Sequence, residues 1–506
     1  MVQAAVPKSV TTPERLSRFG SLSSFILLLV LVVLVLLTVY AMSPPESVSV
    51  QAPATEFSSG RAMQYLKAIS VSTHPVGSAD HERVGEYIVH ELASMGLNPE
   101  IQQTSVVQQV ETGFVRGANV RNIVARLKGT ESGRALMLTS HYDSKQGSFG
   151  ASDDGAAVAA MLESARALKA GSPLKNDVIL LFTDGEELGL LGAKAFVDEH
   201  PWAKEVGLVL NFEARGTSGP AVMFETSNGN QGLIDGLAHA APHPVANSLM
   251  YDIYRLLPND TDLTVFKESG LPGMNFAFIN EPSRYHTPLD NTNNLDERSL
   301  QHQGSYILGL TRYFGDRNLD GRSARNAVYF DLFGLTLVHY SAVWILPLTV
   351  LVVLSFVAVA WYGLRKRIVT LPAAIRGFLV FLLSLVVSPG LVALVWWLIR
   401  SFRRDYAVMA RGNIYHGEFY FLGFAALSIA VFSVFCILFS KKLGVYNLAL
   451  GSLFGGLILL LASSFFLPGA SYLLAWPMLG SLVTLALIFK TAGEESHSTK
   501  RLAVLA

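Results

Sequence analysis

A single cysteine, Cys436, stands in 506 residues, so no intrachain disulfide braces this fold. Charge is scarce too: Asp, Glu, Lys and Arg make up 15% of the chain, against about 25% in an average soluble domain. The shortage is uneven, for between residues 332 and 490 only two acids occur, Asp405 and Glu418. Neither sign is in excess, with 39 basic and 39 acidic residues, and this removes the bulk electrostatic basis for a nucleic-acid partner. Hydrophobic residues are plentiful instead, at 51% with a mean hydropathy of +0.38. Disorder is excluded, and a membrane portion in contact with a lipid bilayer is required.

Long apolar runs supply that portion. Residues 24–41 carry no charge and are long enough to cross about 30 Å of hydrocarbon. Arg15 and Arg18 precede this run, and Pro44 directly after Ala41-Met42-Ser43 disfavours cleavage there, so it reads as an uncleaved signal anchor. Five further spans are expected near 342–363, 377–399, 418–440, 445–465 and 469–490. The organisation is then a cytoplasmic tail (1–23), the anchor (24–41), a soluble domain (57–325), a membrane region of about five helices (342–490) and a second cytoplasmic tail (491–506). Lys8, Arg15, Arg18, Arg365-Lys366-Arg367, Lys441-Lys442 and Lys500-Arg501 fall on one side under this count. The positive-inside rule makes that side the cytoplasm and puts the soluble domain in a periplasm or an organelle lumen, vacuolar or endoplasmic-reticulum. Arg400, Arg403, Arg404 and Arg411 break the pattern, and call for lipid headgroups at that loop or for a different count of spans.

The soluble domain alternates short apolar runs with amphipathic ones, the pattern of an α/β fold with a doubly wound, mostly parallel sheet flanked by helices. Expected strands are Val120–Leu127, Ala135–Ser140, Val178–Phe182, Leu208–Phe212 and Met274–Phe278, and expected helices are His81–Gly96, Ala156–Ala170 and Leu188–Glu199. The polar residues collect where these strands end, the edge at which such sheets build their sites. One strand runs into His141-Tyr142-Asp143-Ser144 and is followed by Gly150-Ala151-Ser152-Asp153-Asp154-Gly155. Others run into Thr183-Asp184-Gly185-Glu186-Glu187-Leu188-Gly189, into Glu213-Ala214-Arg215-Gly216 and, later, into Tyr285-His286-Thr287-Pro288-Leu289-Asp290. Mixed imidazole and carboxylate donors suit zinc, and two ions sharing one carboxylate account for the number of converging acids.

In this order the motifs HYDS, GASDDGAA, TDGEELG, NFEARG and YHTPLDN resemble those of the co-catalytic di-zinc exopeptidases, which include bacterial leucine-type aminopeptidases, glutamate carboxypeptidase and, more distantly, glutaminyl cyclase. The layout of anchor, peptidase and hydrophobic half is similar to that of the vacuolar and endoplasmic-reticulum membrane metallopeptidases. The resemblance covers roughly residues 57–320 and implies two zinc ions bridged by Asp153, with His141 and Glu213 completing one site and Glu187 and His286 the other. It implies Glu186 as general base, Asp143 as the group orienting His141, and a cis peptide at Asp153-Asp154. Many members have Asp where Glu213 stands here. Tyr285 is placed to donate to an oxyanion, and Arg215, Asn259 and Asp260 to meet a substrate terminus. The activity implied is a membrane-anchored exopeptidase, first an aminopeptidase acting on peptides. The alternatives are a carboxypeptidase on the same scaffold and a receptor or transporter that binds peptides without cutting them. Glutaminyl cyclases use one zinc, so the joint presence of His141 and Glu213 points away from them. Oligomeric state is not legible.

Each residue alone has an ordinary explanation. A lone histidine is usually a satisfied core residue, Glu186-Glu187 a solvated first turn, and Asp153-Asp154-Gly155 a turn or cap. His74, His81 and His90 lie before the strands and read as structural or exposed, His339 and His416 as membrane-edge residues, and Cys436 as packing. The ordered set at successive strand ends carries the functional reading.

Overall fold

The computed structural model describes residues 13–110, 113–321, 324–407, 414 and 416–505; most of the expected N-terminal tail (1–12, with Lys8) and Arg411 lie outside them. Among the described residues there are nine strands: β1 (Glu100–Gln109), β2 (Val115–Leu127), β3 (Ala135–His141), β4 (Val178–Thr183), β5 (Val206–Ala214), β6 (Val222–Thr226), β7 (Gly273–Phe278), β8 (Ala327–Leu332) and β9 (Thr336–Ser341). The first seven form one sheet in the order β1-β2-β4-β3-β5-β7-β6. The middle four are parallel, while β1, β2 and β6 add antiparallel edges, and β8 and β9 form a separate hairpin. Strands β3, β4, β5 and β7 are buried along their whole lengths, as strands covered on both faces must be, which is why they read as unbroken apolar runs.

Helices α1 (Pro13–Ala41), α2 (Ser59–Ile69), α3 (Ala79–Ser94), α4 (Ala157–Lys169), α5 (Leu191–Glu199), α6 (Gln231–Ala240), α7 (Ser248–Tyr254), α8 (Asp262–Glu268) and α9 (Glu297–Gly315) belong to the first part of the chain. Serine, asparagine and aspartate side chains start four of them: Ser58 caps α2, Ser78 caps α3, Asn247 caps α7 and Asp296 caps α9. The alanine-rich α4 is buried on nearly every face between the sheet, α2 and α9, which only small side chains allow. The helix expected from Leu188 begins later, at Leu191, because Glu186 to Leu190 form a turn in which Leu190 takes a left-handed φ of 63°.

Beyond the hairpin come α10 (Ile345–Arg365), α11 (Leu371–Phe402), α12 (Gly417–Leu443), α13 (Val445–Phe466) and α14 (Tyr472–Leu505). Among the described residues five helical stretches, Ala342–Arg365, Leu371–Phe402, Gly417–Leu443, Val445–Phe466 and Pro468–Thr491, are long and apolar enough to cross a membrane, and each overlaps one expected span. Within α1, Leu28–Ala41 is an apolar helix of shorter length. Arg403, in the basic loop after α11, pairs with Asp405 at 2.9 Å.

Candidate metal centre

Parallel strands ending side by side bring their following loops together, so the site assembles at the carboxyl edge of β3, β4, β5 and β7. His141 is the last residue of β3, and its Nε2 lies 3.1 Å from Asp153 Oδ1 and 3.7 Å from Glu213 Oε2. Glu213 projects from the end of β5. On the other side of Asp153, Oδ2 lies 3.0 Å from His286 Nε2, which is 2.7 Å from Glu187 Oε1. Two three-residue sets result, His141-Asp153-Glu213 and Asp153-Glu187-His286, each with its donor atoms within 4.8 Å of one another. Asp153 belongs to both.

Asp153 is held by its neighbours in space. It lies inside a wide helical turn, Ala151–Ala156, with the Asp153-Asp154 peptide cis, and the turn is preceded by Gly150 with a left-handed φ of 60°. A Cβ on Gly150 would come to 2.9 Å from the Asp153 carbonyl oxygen, so only glycine fits. Asp290 accepts the N–H groups of Ser152 at 2.7 Å and Asp153 at 3.2 Å. His286 itself sits at φ 58°, a conformation costing on the order of 1–3 kcal/mol for a non-glycine residue. The turn around it is pinned by Thr287 Oγ1, which donates to the Arg284 carbonyl at 2.7 Å.

Asp143 has two tasks. Its backbone carbonyl lies 2.9 Å from His141 Nδ1, closer than its carboxylate at 3.4 Å, and so fixes Nε2 as the free nitrogen facing Asp153. Its carboxylate accepts the N–H groups of Glu186 at 3.1 Å and Glu187 at 3.3 Å, which ties the β4 loop to the β3 loop. Sequence reasoning anticipated only the contact to His141. It also missed Lys145, which pairs with Glu187 at 3.1 Å, and Asp262, whose buried carboxylate accepts the Thr183 hydroxyl while its Oδ1 has no partner. Asp262 opens α8; the sequence placed it in the segment Asn259-Asp260-Thr261-Asp262, which resembles a substrate-facing part of the family, but assigned it no role.

The electrostatics call for a cation. Asp153 Oδ2, Glu187 Oε1 and His286 Nε2 converge in a buried space, yet none makes a hydrogen bond of sound geometry. Both Asp154 carboxylate oxygens are buried without partners as well. Buried polar atoms are ordinarily satisfied, so such a convergence of acceptors fits a metal ion between them. Burial drives the carboxyl of Glu186 well above its ordinary range, opposed by His141 and reinforced by Glu213, Asp262 and Glu187. Glu213 is pushed up to about 8 by burial, against the pull of His141. Asp153 goes the other way: burial works against its ionisation, but the close imidazoles of His141 and His286 hold it below the usual carboxylate range. Divalent ions are the complement of this crowd of acids.

These residues floor a cleft of about 920 Å³. Asp153, Glu186, Glu187, Glu213, Arg215, Tyr285 and His286 all line it, as do Asn259 and Asp260 at its margin. Tyr285 stacks on His286 with ring centroids 3.7 Å apart, and Arg215 lies 5.8 Å over the Tyr285 ring. One wall, made by Phe224, Met250, Ile253, Tyr254 and Leu257, is largely apolar. Of the histidines outside the site, His81 bonds Asp184 at 2.8 Å and His74 is buried, whereas His90 is exposed.

Residues 122–311, which hold every ligand candidate, match the family described as Peptidase family M28. Over this stretch the chain is similar to that family. Among curated relatives, endoplasmic reticulum metallopeptidase 1 of Rattus norvegicus is 30% identical over 307 residues, covering 56% of this chain and 34% of its own length. The vacuolar membrane protease of Yarrowia lipolytica is 31% identical over 343 residues, covering 63% of this chain and 33% of its own. This chain thus spans about a third of the length of the curated relatives it matches. Among solved structures, an aminopeptidase from Aneurinibacillus sp. strain AM-1 aligns with 53% of this chain and 96% of its own at 14% identity, with a TM-score of 0.44.

Proposed function

We propose that the protein is a membrane-anchored zinc exopeptidase, and specifically an aminopeptidase, with its catalytic domain on the non-cytoplasmic side. The observation that carries this reading is Asp153 shared between two donor sets at the floor of a cleft, with Glu186 beside them. In this reading His141, Asp153 and Glu213 hold one zinc ion and Asp153, Glu187 and His286 the second. Zinc held there would supply Lewis acidity and lower the pKa of the attacking water toward neutral. Glu186, beside the donor sets in the cleft, takes the proton from the attacking water and returns it to the departing amine. Tyr285 donates its hydroxyl to the oxyanion that forms at the scissile carbonyl. Asp260 and Asn259, at the cleft margin, receive the free amino terminus of the peptide.

Arg215 favours a carboxypeptidase, because its guanidinium lies in the cleft over Tyr285, where a substrate carboxylate could meet it. Short peptides with free or blocked ends decide between the two. Full-length protein in detergent with zinc is expected to cleave peptides with a free amino end, to leave their acetylated forms intact, and to lose about 100- to 10,000-fold in kcat in Glu186→Gln. Cleavage that instead requires a free carboxyl end would reassign the specificity and leave the chemistry. A well-folded, zinc-loaded protein that turns over neither series would be a peptide-binding protein.

A further inference from the structure

Helix α7 stands between the cleft and the membrane region. Ser248 and Asp252, one helical turn apart, face away from the cleft, whereas Met250, Ile253 and Tyr254 line its apolar wall. On the far side Ser248 and Asp252 meet the short turn Pro468–Ala470, which joins the last two membrane-length helices, α13 and α14. The Ser248 hydroxyl donates to the Gly469 carbonyl at 2.8 Å, and the Gly469 N–H donates to Asp252 Oδ2 at 2.7 Å. Both contacts are buried, with Ser248 3% and Asp252 8% exposed. A side chain at Gly469 has no room: a Cβ would run into the Ser248 carbonyl oxygen and come to 2.7 Å from Asp252 Oδ2.

The hairpin repeats the connection. Asn247, the cap of α7, bridges to Phe330 in β8, and the Phe330 ring stacks on Tyr472, the first residue of α14, at 4.6 Å. The wall helix of the cleft is therefore clamped to the membrane region from its capping residue and from its back. The two paired hydrogen bonds to Gly469 help fix this 7-residue helix, together with those between Ser248 Oγ and the Tyr329 backbone, since so short a helix has little stability of its own.

We infer that the Pro468–Ala470 turn is a positioning element for the substrate cleft, and that the membrane region takes part in peptide binding through Ser248, Asp252 and Gly469. This rests on the proposed reading of the cleft as a peptide site. None of the three residues lies among the metal donors, so the clamp governs where the apolar wall stands and leaves the metal-binding residues in place.

The test uses the full-length protein in detergent micelles or nanodiscs, with Ser248→Ala and Gly469→Ala as the disrupting variants and Ser248→Thr, which keeps the hydroxyl, as the conservative one. Amide hydrogen exchange is expected to rise about tenfold in segment 249–257 of both disrupting variants, with segment 135–143 unchanged and Ser248→Thr close to the parent. With short peptides whose ends are apolar, KM is expected to rise about tenfold in the disrupting variants, with kcat within twofold and zinc content equal to that of the parent. Unchanged exchange in 249–257 would overturn the clamp. Altered exchange with an unmoved KM would confine it to a structural role and overturn the inference about binding. Should the parent protein turn over no peptide, the exchange result still decides the clamp, while the peptidase reading fails separately.

Discussion

Asp290 accepts the backbone N–H of Asp153 across 137 residues of sequence, at 3.2 Å, while its other oxygen takes the Ser152 N–H at 2.7 Å. One carboxylate thereby sets the orientation of the only residue common to both donor sets. In Asp290→Asn a single carbonyl oxygen remains for two donors, and the amide nitrogen opposes one of them. We expect zinc affinity to fall about 10- to 100-fold, as when other groups that orient a metal ligand are removed. Leaving a buried donor unpaired should also cost about 1–3 kcal/mol of stability. Competition with a chromogenic chelator reads the first effect and thermal unfolding the second; affinity within twofold of the parent would remove Asp290 from this role.

The ion count has a test of its own. With His141 and Glu213 on one side of Asp153 and Glu187 and His286 on the other, deleting an outer ligand and deleting the shared one should differ. His286→Ala is expected to retain about half the bound zinc, and Asp153→Ala to retain close to none, by metal analysis after dialysis. Zinc at 100 times its dissociation constant stabilises by about 2.7 kcal/mol, so chelation should lower the Tm of the parent by roughly 5–10 °C. The same chelator should leave Asp153→Ala nearly unmoved. Equal zinc loss in both variants would argue for a single ion.

Much of this was legible beforehand because the strands that bear the site are buried on both faces. An unbroken run such as Val178–Phe182 followed by an acid-rich turn has few other readings. Of the antiparallel strands only β2 was legible, as Val120–Leu127; β1 reads Glu-Ile-Gln-Gln-Thr-Ser, and its polarity belongs to an edge strand open to solvent, not to a core. The short helices α7 and α8 carry too few residues for a periodic signal, so Asp262 and the clamp on α7 stayed hidden. Asp143 shows the same limit within a motif. Its closeness to His141 is visible from spacing, but its bonds to Glu186 and Glu187 depend on β3 and β4 lying side by side.

Sidedness can be checked with the chain's own economy in cysteine. In a Cys436→Ser background, Ser132→Cys reports on the soluble domain and Lys366→Cys on the basic turn after α10, both at exposed positions. In sealed vesicles of known orientation, a membrane-impermeant maleimide applied to the non-cytoplasmic face is expected to label the first and spare the second until detergent is added. The reverse pattern would invert the topology drawn from the basic clusters.

His302 gives a pH dependence remote from the metal centre. It is 1% exposed, its Nδ1 accepts the Ala221 N–H at 3.0 Å, and its Nε2 donates to the His243 carbonyl at 3.1 Å. Both ring nitrogens are thus used by the neutral form. The groups around it are backbone amides and carbonyls, the Tyr306 ring and His243, and none of these offers a negative charge. Burial accordingly lowers its pKa from 6.5 to about 4, against the pull of the two carbonyls. Below pH 6.5 the unfolded chain takes up a proton that the folded one refuses until about pH 4, so stability falls as pH drops through that window. The loss amounts to about 3 kcal/mol at the acid end, since each pKa unit corresponds to about 1.4 kcal/mol. Glutamine can keep both hydrogen bonds without titrating. His302→Gln should therefore unfold at a lower Tm than the parent at pH 7 and draw level with it, or pass it, by pH 4.5. His74, also buried and lowered to about 4, adds a separate contribution that the variant retains, so the acid sensitivity is reduced and not abolished. A constant gap in Tm between variant and parent across the window would show that His302 does not carry this dependence.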